Sequence, residues 1–177
     1  DMPKDTELHK LCGKGDFDGV QSLLSPSAKP VNVDEPGSSG RTPLHRAIGA
    51  NANDIVKLLV EAHGASLTTV DATGRSILQF AVIAKNAAML QYLLEKDESM
   101  INHLTEKGSS CLHLAVNTGA HACIEHLLNR NIDTQLKNKN NQTAFEIAEG
   151  KKDKDVIAIF RRYKVPGSKK TGVCQIL

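Results

Sequence analysis

The sequence has no tryptophan and only two tyrosines and four phenylalanines in 177 residues. With so few rings there is little to stack on bases or sugars, which argues against nucleic-acid and carbohydrate partners. An interior built from this composition must be aliphatic. Long apolar runs are missing too: no window approaches the eighteen residues of a membrane-spanning helix, and the start DMPKDTELHK lacks the charged-then-apolar order of a signal peptide. Cysteine is sparse and uneven, at 12, 111, 123 and 174, which excludes a secreted disulfide framework and predicts reduced thiols. These absences describe a soluble, cytoplasmic chain. Asp1 in place of an initiator Met leaves room for a longer parent protein.

Hydrophobic residues make up 40 % and charged residues 24 %, the proportions of a globular chain long enough for one domain. Charge is divided unevenly. Residues 1–150 hold fourteen Lys and Arg against eighteen Asp and Glu, whereas 151–177 hold eight against two. The phosphate-binding pattern GxxxxGK[ST] is absent, and no GxGxxG follows a strand pattern.

Self-similarity organises the chain. GRTPLHRAI from Gly40, GRSILQFAV from Gly74, GSSCLHLAV from Gly108 and NQTAFEIAE from Asn141 start 34, 34 and 33 residues apart. Each is followed by a leucine-pair segment: DIVKLLVEAHGAS, AMLQYLLEKDESM, ACIEHLLNRNIDT and the shortened DVIAIFRRY. A weaker fifth copy, ELHKLCGKGDFDGVQSLL, opens at Glu7. Thr42 stands where a helix N-cap is wanted and Pro43 at the first helical position, where a missing N–H costs nothing. Leu44, Ala47 and Ile48 then share one face, and the small Ala lets neighbouring helices approach. Gly40 and Gly74 precede the helices at tight-turn positions that favour positive φ, which Asn141 also tolerates.

This pattern resembles the ankyrin repeat, whose Gly, Thr-Pro-Leu-His, Ala pair and Leu-Leu helix stand almost intact in GRTPLHRA and HGAS. Tetratricopeptide repeats share the period but lack the Thr-Pro-Leu-His start. The resemblance implies an all-α solenoid of helix-turn-helix units joined by hairpin-like loops. Its repeats fall at about 6–35, 36–70, 71–104, 105–137 and 138–163, followed by a basic tail over 164–177. The first and last copies read as caps. SPSAKPVNVDEPGSSG reads as an irregular connection, and Ile77 and Gln79 depart from the pattern in the third copy.

Cys111, His113, His121 and Cys123 lie within thirteen residues, and their chemistry has to be weighed against this frame. Cys111 and His113 point about 200° apart on one helix, so they do not converge on a metal. In ankyrin repeats the residue at the register of His45 and His113 typically hydrogen-bonds backbone in the adjoining loop. Cys123 belongs to the second-helix core, and His121 and His126 to its surface. Cys111, at a helix start that could lower its pKa, keeps a claim to thiol reactivity. No catalytic residue, metal or cofactor follows from these positions.

The resemblance further implies protein binding through hairpin tips and the inner face of the first helices. That register gives Ser39, Arg41, Thr73, Arg75, Lys107, Ser109, Lys139 and Gln142 at the tips, and Arg46, Phe80, Ile83 and Asn117 on the helices. Arg41 and Arg75 recur at one position and could select an acidic partner segment; Phe80 is the anchor candidate if it is exposed. The expectation is a non-catalytic interaction module, monomeric alone. Two alternatives stand beside it: a regulatory domain of a larger enzyme, and a membrane-tethered adaptor prenylated at Cys174, because CQIL loosely fits a C-terminal prenylation motif with Lys169 and Lys170 upstream.

Overall fold

A computed structural model describes residues 3–130 and 132–168. Among them lie ten α-helices in five antiparallel pairs: α1 (Glu7–Lys14) with α2 (Phe17–Leu23), α3 (Pro43–Gly49) with α4 (Asn53–Lys57), α5 (Ile77–Ile83) with α6 (Ala87–Lys96), α7 (Cys111–Thr118) with α8 (His121–Leu128), and α9 (Ala144–Lys151) with α10 (Lys154–Arg162). The only bridge outside the helices joins Val70 and Ser76 among the described residues. The architecture is therefore the all-α repeat solenoid that the resemblance implies.

The first helix of every pair starts by one device. A Thr or Ser with extended backbone precedes it, and its N–H donates to the side chain three residues on: Thr6 to His9 Nδ1 at 3.1 Å, Thr42 to His45 Nδ1 at 3.1 Å, Ser76 to Gln79 Oε1 at 3.0 Å, Ser110 to His113 Nδ1 at 3.2 Å and Thr143 to Glu146 Oε2 at 2.7 Å. This satisfies a backbone donor that the helix leaves orphaned.

The odd-numbered helices stack in succession into one inner row, and α2 with α4, α6 with α8, and α8 with α10 pack in the outer row. Leu8, Leu44, Leu78, Leu112 and Phe145, at one register, are all buried, as are Ala47, Ala81, Ala115 and Ala148. Each buried Leu contributes roughly 2 kcal/mol by leaving water, and no single pair can bury both its faces, so stability belongs to the stack. Helix α4 continues through a π turn, Leu58–Ala62, where Glu61 accepts from Tyr92 Oη at 3.0 Å and pairs with Lys96 at 3.1 Å.

The connection over 24–36 is irregular, and its first stretch lines a shallow cleft with His63. At the other end the packed chain runs past residue 163. Val165 and Ser168 are buried, and Arg161 Nε donates to the Ser168 carbonyl at 3.1 Å. Phe160 meets Phe145 edge to face at 5.6 Å beneath them.

Candidate functional site

The surface the sequence points to is assembled from the hairpin tips. Each tip closes with one backbone bond across it: Gly37 to Arg41, Asp71 to Arg75, Thr105 to Ser109 and Asn138 to Gln142, at 2.8–3.0 Å. Where the opening residue carries an acceptor, its side chain holds the turn. Asp71 Oδ1 accepts from the N–H groups of Thr73 and Arg75, Thr105 Oγ1 from that of Ser109, and Asn138 Oδ1 from those of Asn140 and Gln142.

Successive tips are also tied to one another. Ala72 donates to the Ser39 carbonyl at 2.8 Å, Glu106 to Thr73 at 3.1 Å and Lys139 to Lys107 at 3.2 Å. That approach explains the glycines. Gly40, Gly74 and Gly108 have φ near +70°, and a Cβ there would sit 2.9–3.0 Å from the next tip's backbone nitrogen. Asn141 shares the positive φ, at 59°, and no tip follows it among the described residues.

A second set of bonds fastens each helix to the next tip. His9 Nε2 meets the Arg41 carbonyl at 2.9 Å, Gln79 Nε2 donates to Ser109 at 3.1 Å and to His103 at 2.9 Å, and His113 Nε2 meets Gln142 at 2.8 Å. Since Nδ1 accepts the cap N–H, the ring proton belongs on Nε2, where it is donated. His45 Nε2 is aimed at the Arg75 carbonyl but stops short of a hydrogen bond. Burial lowers the pKa of His113 and takes that of His45 to about 4, so both rings are neutral donors. In the last pair, which has no further tip ahead of it among the described residues, the position holds the acceptor Glu146.

The Cys/His cluster thereby loses its chemistry. Both nitrogens of His113 are committed, and no group of three metal-ligating side chains forms among the described residues. Cys111 has to be corrected: it stands at a helix start, yet neighbouring repeats cover it completely. Burial pushes its thiol up to about 12, with Cys123 at about 11 and Cys12 at about 12. A thiol that cannot ionise near neutrality is a packing group.

Arg41, Arg75 and Phe80 converge on a carboxylate that sequence reasoning did not single out. Asp71 is 4 % exposed and receives Arg75 Nε and Nη2, both at 3.1 Å, while Arg41 Nε stays at 3.7 Å. Both guanidinium carbons lie over the Phe80 ring, at 5.2 and 5.4 Å, and His45 meets the ring edge to face at 4.8 Å. Phe80 is only 8 % exposed, so it forms a floor for the arginines and does not project as an anchor. Burial tends to raise the pKa of Asp71, but the hydrogen bonds of Thr73 and Arg75 prevail and hold it below the usual carboxylate range. Arg46 donates to Asp5 at 2.9 Å and, more weakly, to the Ser38 carbonyl.

Of the other candidates, Ser39, Thr73, Ile83, Lys107, Asn117, Lys139 and Gln142 are exposed, and Ser109 is half-buried. Thr73, Arg75, Lys107 and Ser109 come together around a cleft of about 260 Å³ with Thr105, Glu106 and Leu114. An aspartate opening a turn-forming DATGR tip was the available signal for Asp71. Cys174 lies outside the described residues.

Comparison with known proteins gives the same frame. A family profile described as ankyrin repeats (3 copies) matches residues 8–103, and one described as ankyrin repeats (many copies) matches 93–148. The chain is 30 % identical over 174 residues to the tyrosine-protein kinase HTK16 of Hydra vulgaris, covering 98 % of this chain and 23 % of the kinase. It is 31 % identical over 137 residues to the B-cell lymphoma 3 protein homolog of Mus musculus, covering 75 % and 30 %. A Caenorhabditis elegans homolog of transient receptor potential cation channel subfamily A member 1 is 27 % identical over 145 residues, covering 82 % and 12 %. The chain thus spans less than a third of each of these relatives.

Proposed function

The chain belongs to the ankyrin-repeat family, and from that premise we propose that it is a non-catalytic module that binds a protein partner along its hairpin tips and inner helix face. Ankyrin repeats are generally protein-interaction modules, and such domains are typically non-catalytic. The observation that carries the reading is the tip-to-tip ladder. It fixes Ser39, Thr73, Lys107 and Lys139 in a rigid, exposed row, so a partner meets side chains whose backbone ordering is already complete. The recurring arginines favour an acidic segment in that partner.

Photo-crosslinking from position 83 on the inner face and from position 91 on the exposed side of α6 tests this. Specific adducts from the inner face, lost when Lys107→Glu is added to the chain that carries the crosslinker at 83, are the expected result. Adducts confined to the outer helix would sink the reading.

A second reading is favoured by one comparison. Alignment over 98 % of this chain to 23 % of a tyrosine-protein kinase fits an interaction segment within a larger, catalytic polypeptide. An immunoblot against this chain distinguishes the cases: a band only near 19.1 kDa contradicts the larger parent.

A further inference from the structure

Two buried nitrogens lack a hydrogen bond within range among the described residues where the second repeat meets the third: Arg41 Nε, which faces Asp71 at 3.7 Å, and His45 Nε2, which faces the Arg75 carbonyl. Polar groups in native interiors are nearly always satisfied, so two at one junction call for a reason. The charge count there is also uneven. Asp71 gives its turn-facing oxygen to Thr73 and Arg75 and its other oxygen to the Arg75 guanidinium; Arg41 reaches only 3.7 Å and makes no side-chain hydrogen bond. Two guanidinium groups held over one ring and balanced by one carboxylate leave a half-buried surplus of positive charge.

Arg75 is also a wall of the neighbouring cleft, whose apolar floor is Leu114 and whose rim is Thr73, Lys107 and Glu106. The cationic site and the apolar cleft therefore share Arg75. Resting on the interaction reading above, we propose that this pair is a two-point site for an extended partner segment, in which an Asp or Glu side chain caps Arg41 and an aliphatic side chain enters the cleft over Leu114. The spacing follows from the stack. Neighbouring repeats are about 10 Å apart, so the two points lie about three to four residues apart along an extended chain. Polarity follows as well: on the cleft rim Lys107 stands beside Glu106 and Arg75 is already paired with Asp71, whereas Arg41 makes no side-chain hydrogen bond, so the Arg41 end takes the acid. A carboxylate there would meet the exposed part of the Arg41 guanidinium, whose side chain is 29 % exposed, in a setting where charge-assisted bonds are strong.

The test is selection of random nine-residue peptides displayed on phage against the full 177-residue chain, then fluorescence anisotropy with the labelled consensus peptide. Enriched peptides should carry Asp or Glu three or four residues from Leu, Ile or Val. Arg41→Gln and Leu114→Gln should each weaken binding about tenfold with unchanged circular-dichroism melting. Changing the peptide's acid to its amide should weaken binding to the native chain and have little further effect on Arg41→Gln; this peptide-side arm holds even if a protein variant melts early. Enrichment without the acid, indifference to Arg41→Gln, a phosphoserine version binding more than tenfold better than the acid, or no enrichment at all would each overturn the proposal. Acid-free peptides lost in Ile83→Asp would overturn it while leaving the interaction reading standing; peptides mapping to the outer helices would remove both.

Discussion

The junction between the second and third repeats and that between the fourth and fifth use one scaffold to opposite ends. In the later junction, His113 is satisfied on both nitrogens, the tip opens with the neutral Asn138, and the register that holds Arg41 and Arg75 carries Ser109 and Gln142. In the earlier one, His45 Nε2 faces the Arg75 carbonyl beyond hydrogen-bond range, the tip opens with buried Asp71, and two arginines crowd Phe80. Repeat geometry tolerates either filling, because the tip backbone bonds are the same in both. A closed junction is pure scaffold; the earlier one holds two guanidinium groups over one ring against a single buried carboxylate.

The largest effect should come from the acid that holds the charged junction together. Asp71→Ala removes the acceptor of two backbone N–H groups, the Thr73 hydroxyl and the Arg75 guanidinium, and leaves two arginines facing each other. A loss of about 3 kcal/mol in denaturant unfolding is expected, against about 1 kcal/mol for Asn138→Ala at the matching position. Equal losses would mean that the carboxylate's charge is irrelevant.

The glycines make the same comparison along the tip ladder. Gly74→Ala must place a Cβ 3.0 Å from the Glu106 nitrogen with φ at +71°, and should cost about 2 kcal/mol. Asn141→Ala pays only for its conformation, about 1 kcal/mol, because no tip follows it among the described residues. Equal losses in thermal melts of the two variants would mean that contact between tips contributes nothing.

Much of this scaffold is legible in the residues alone. The 34-residue repeat marks the helices, and the Thr/Ser caps follow from capping chemistry at fixed register. Two substitutions also mark the last repeat, Asn for Gly at 141 and the acceptor-only Glu146 where earlier copies hold donors. Asp71 is not legible in this way, because an acid at a tip reads as solvated until stacking brings Arg41 over from thirty residues away. Cys111 misleads for a related reason: a helix start is exposed in an isolated pair and covered in a stack. Phe80 is balanced between packed and presented, and the arginines that cover it decide the matter.

Acid should weaken the junction built on His45 through a charge the folded state refuses. The folded pKa is about 4, below the ordinary 6.5, so the unfolded chain binds the proton more readily. The stability contribution is complete above pH 6.5 and is lost as pH falls from there toward 4. Asp5 and Asp71, whose pKa values are lowered, lose theirs only below the usual carboxylate range, outside this window. Urea titrations from about pH 7 to about pH 4.5 should show a loss on the order of 2 kcal/mol, which His45→Gln reduces. His113, whose pKa is also lowered, supplies the slope that remains. An unchanged slope in His45→Gln would place the titrating group elsewhere.

The smallest effect at neutral pH, and the sharpest test of the shared register, is Gln79→His. The third repeat already performs with an amide what its neighbours perform with imidazole: Gln79 Oε1 accepts from the Ser76 N–H while Nε2 donates to the Ser109 and His103 carbonyls. A histidine there can keep the Ser76 and Ser109 bonds through Nδ1 and Nε2 and must give up the one to His103, a net change of about 1 kcal/mol or less. It would add a third buried ring to the acid-sensitive set, so stability at about pH 4.5 should fall further than at about pH 7. If neutral-pH stability collapsed instead, the amide and the imidazole would not be interchangeable there, and the bond to His103, absent from the other copies, would be what sets this repeat apart.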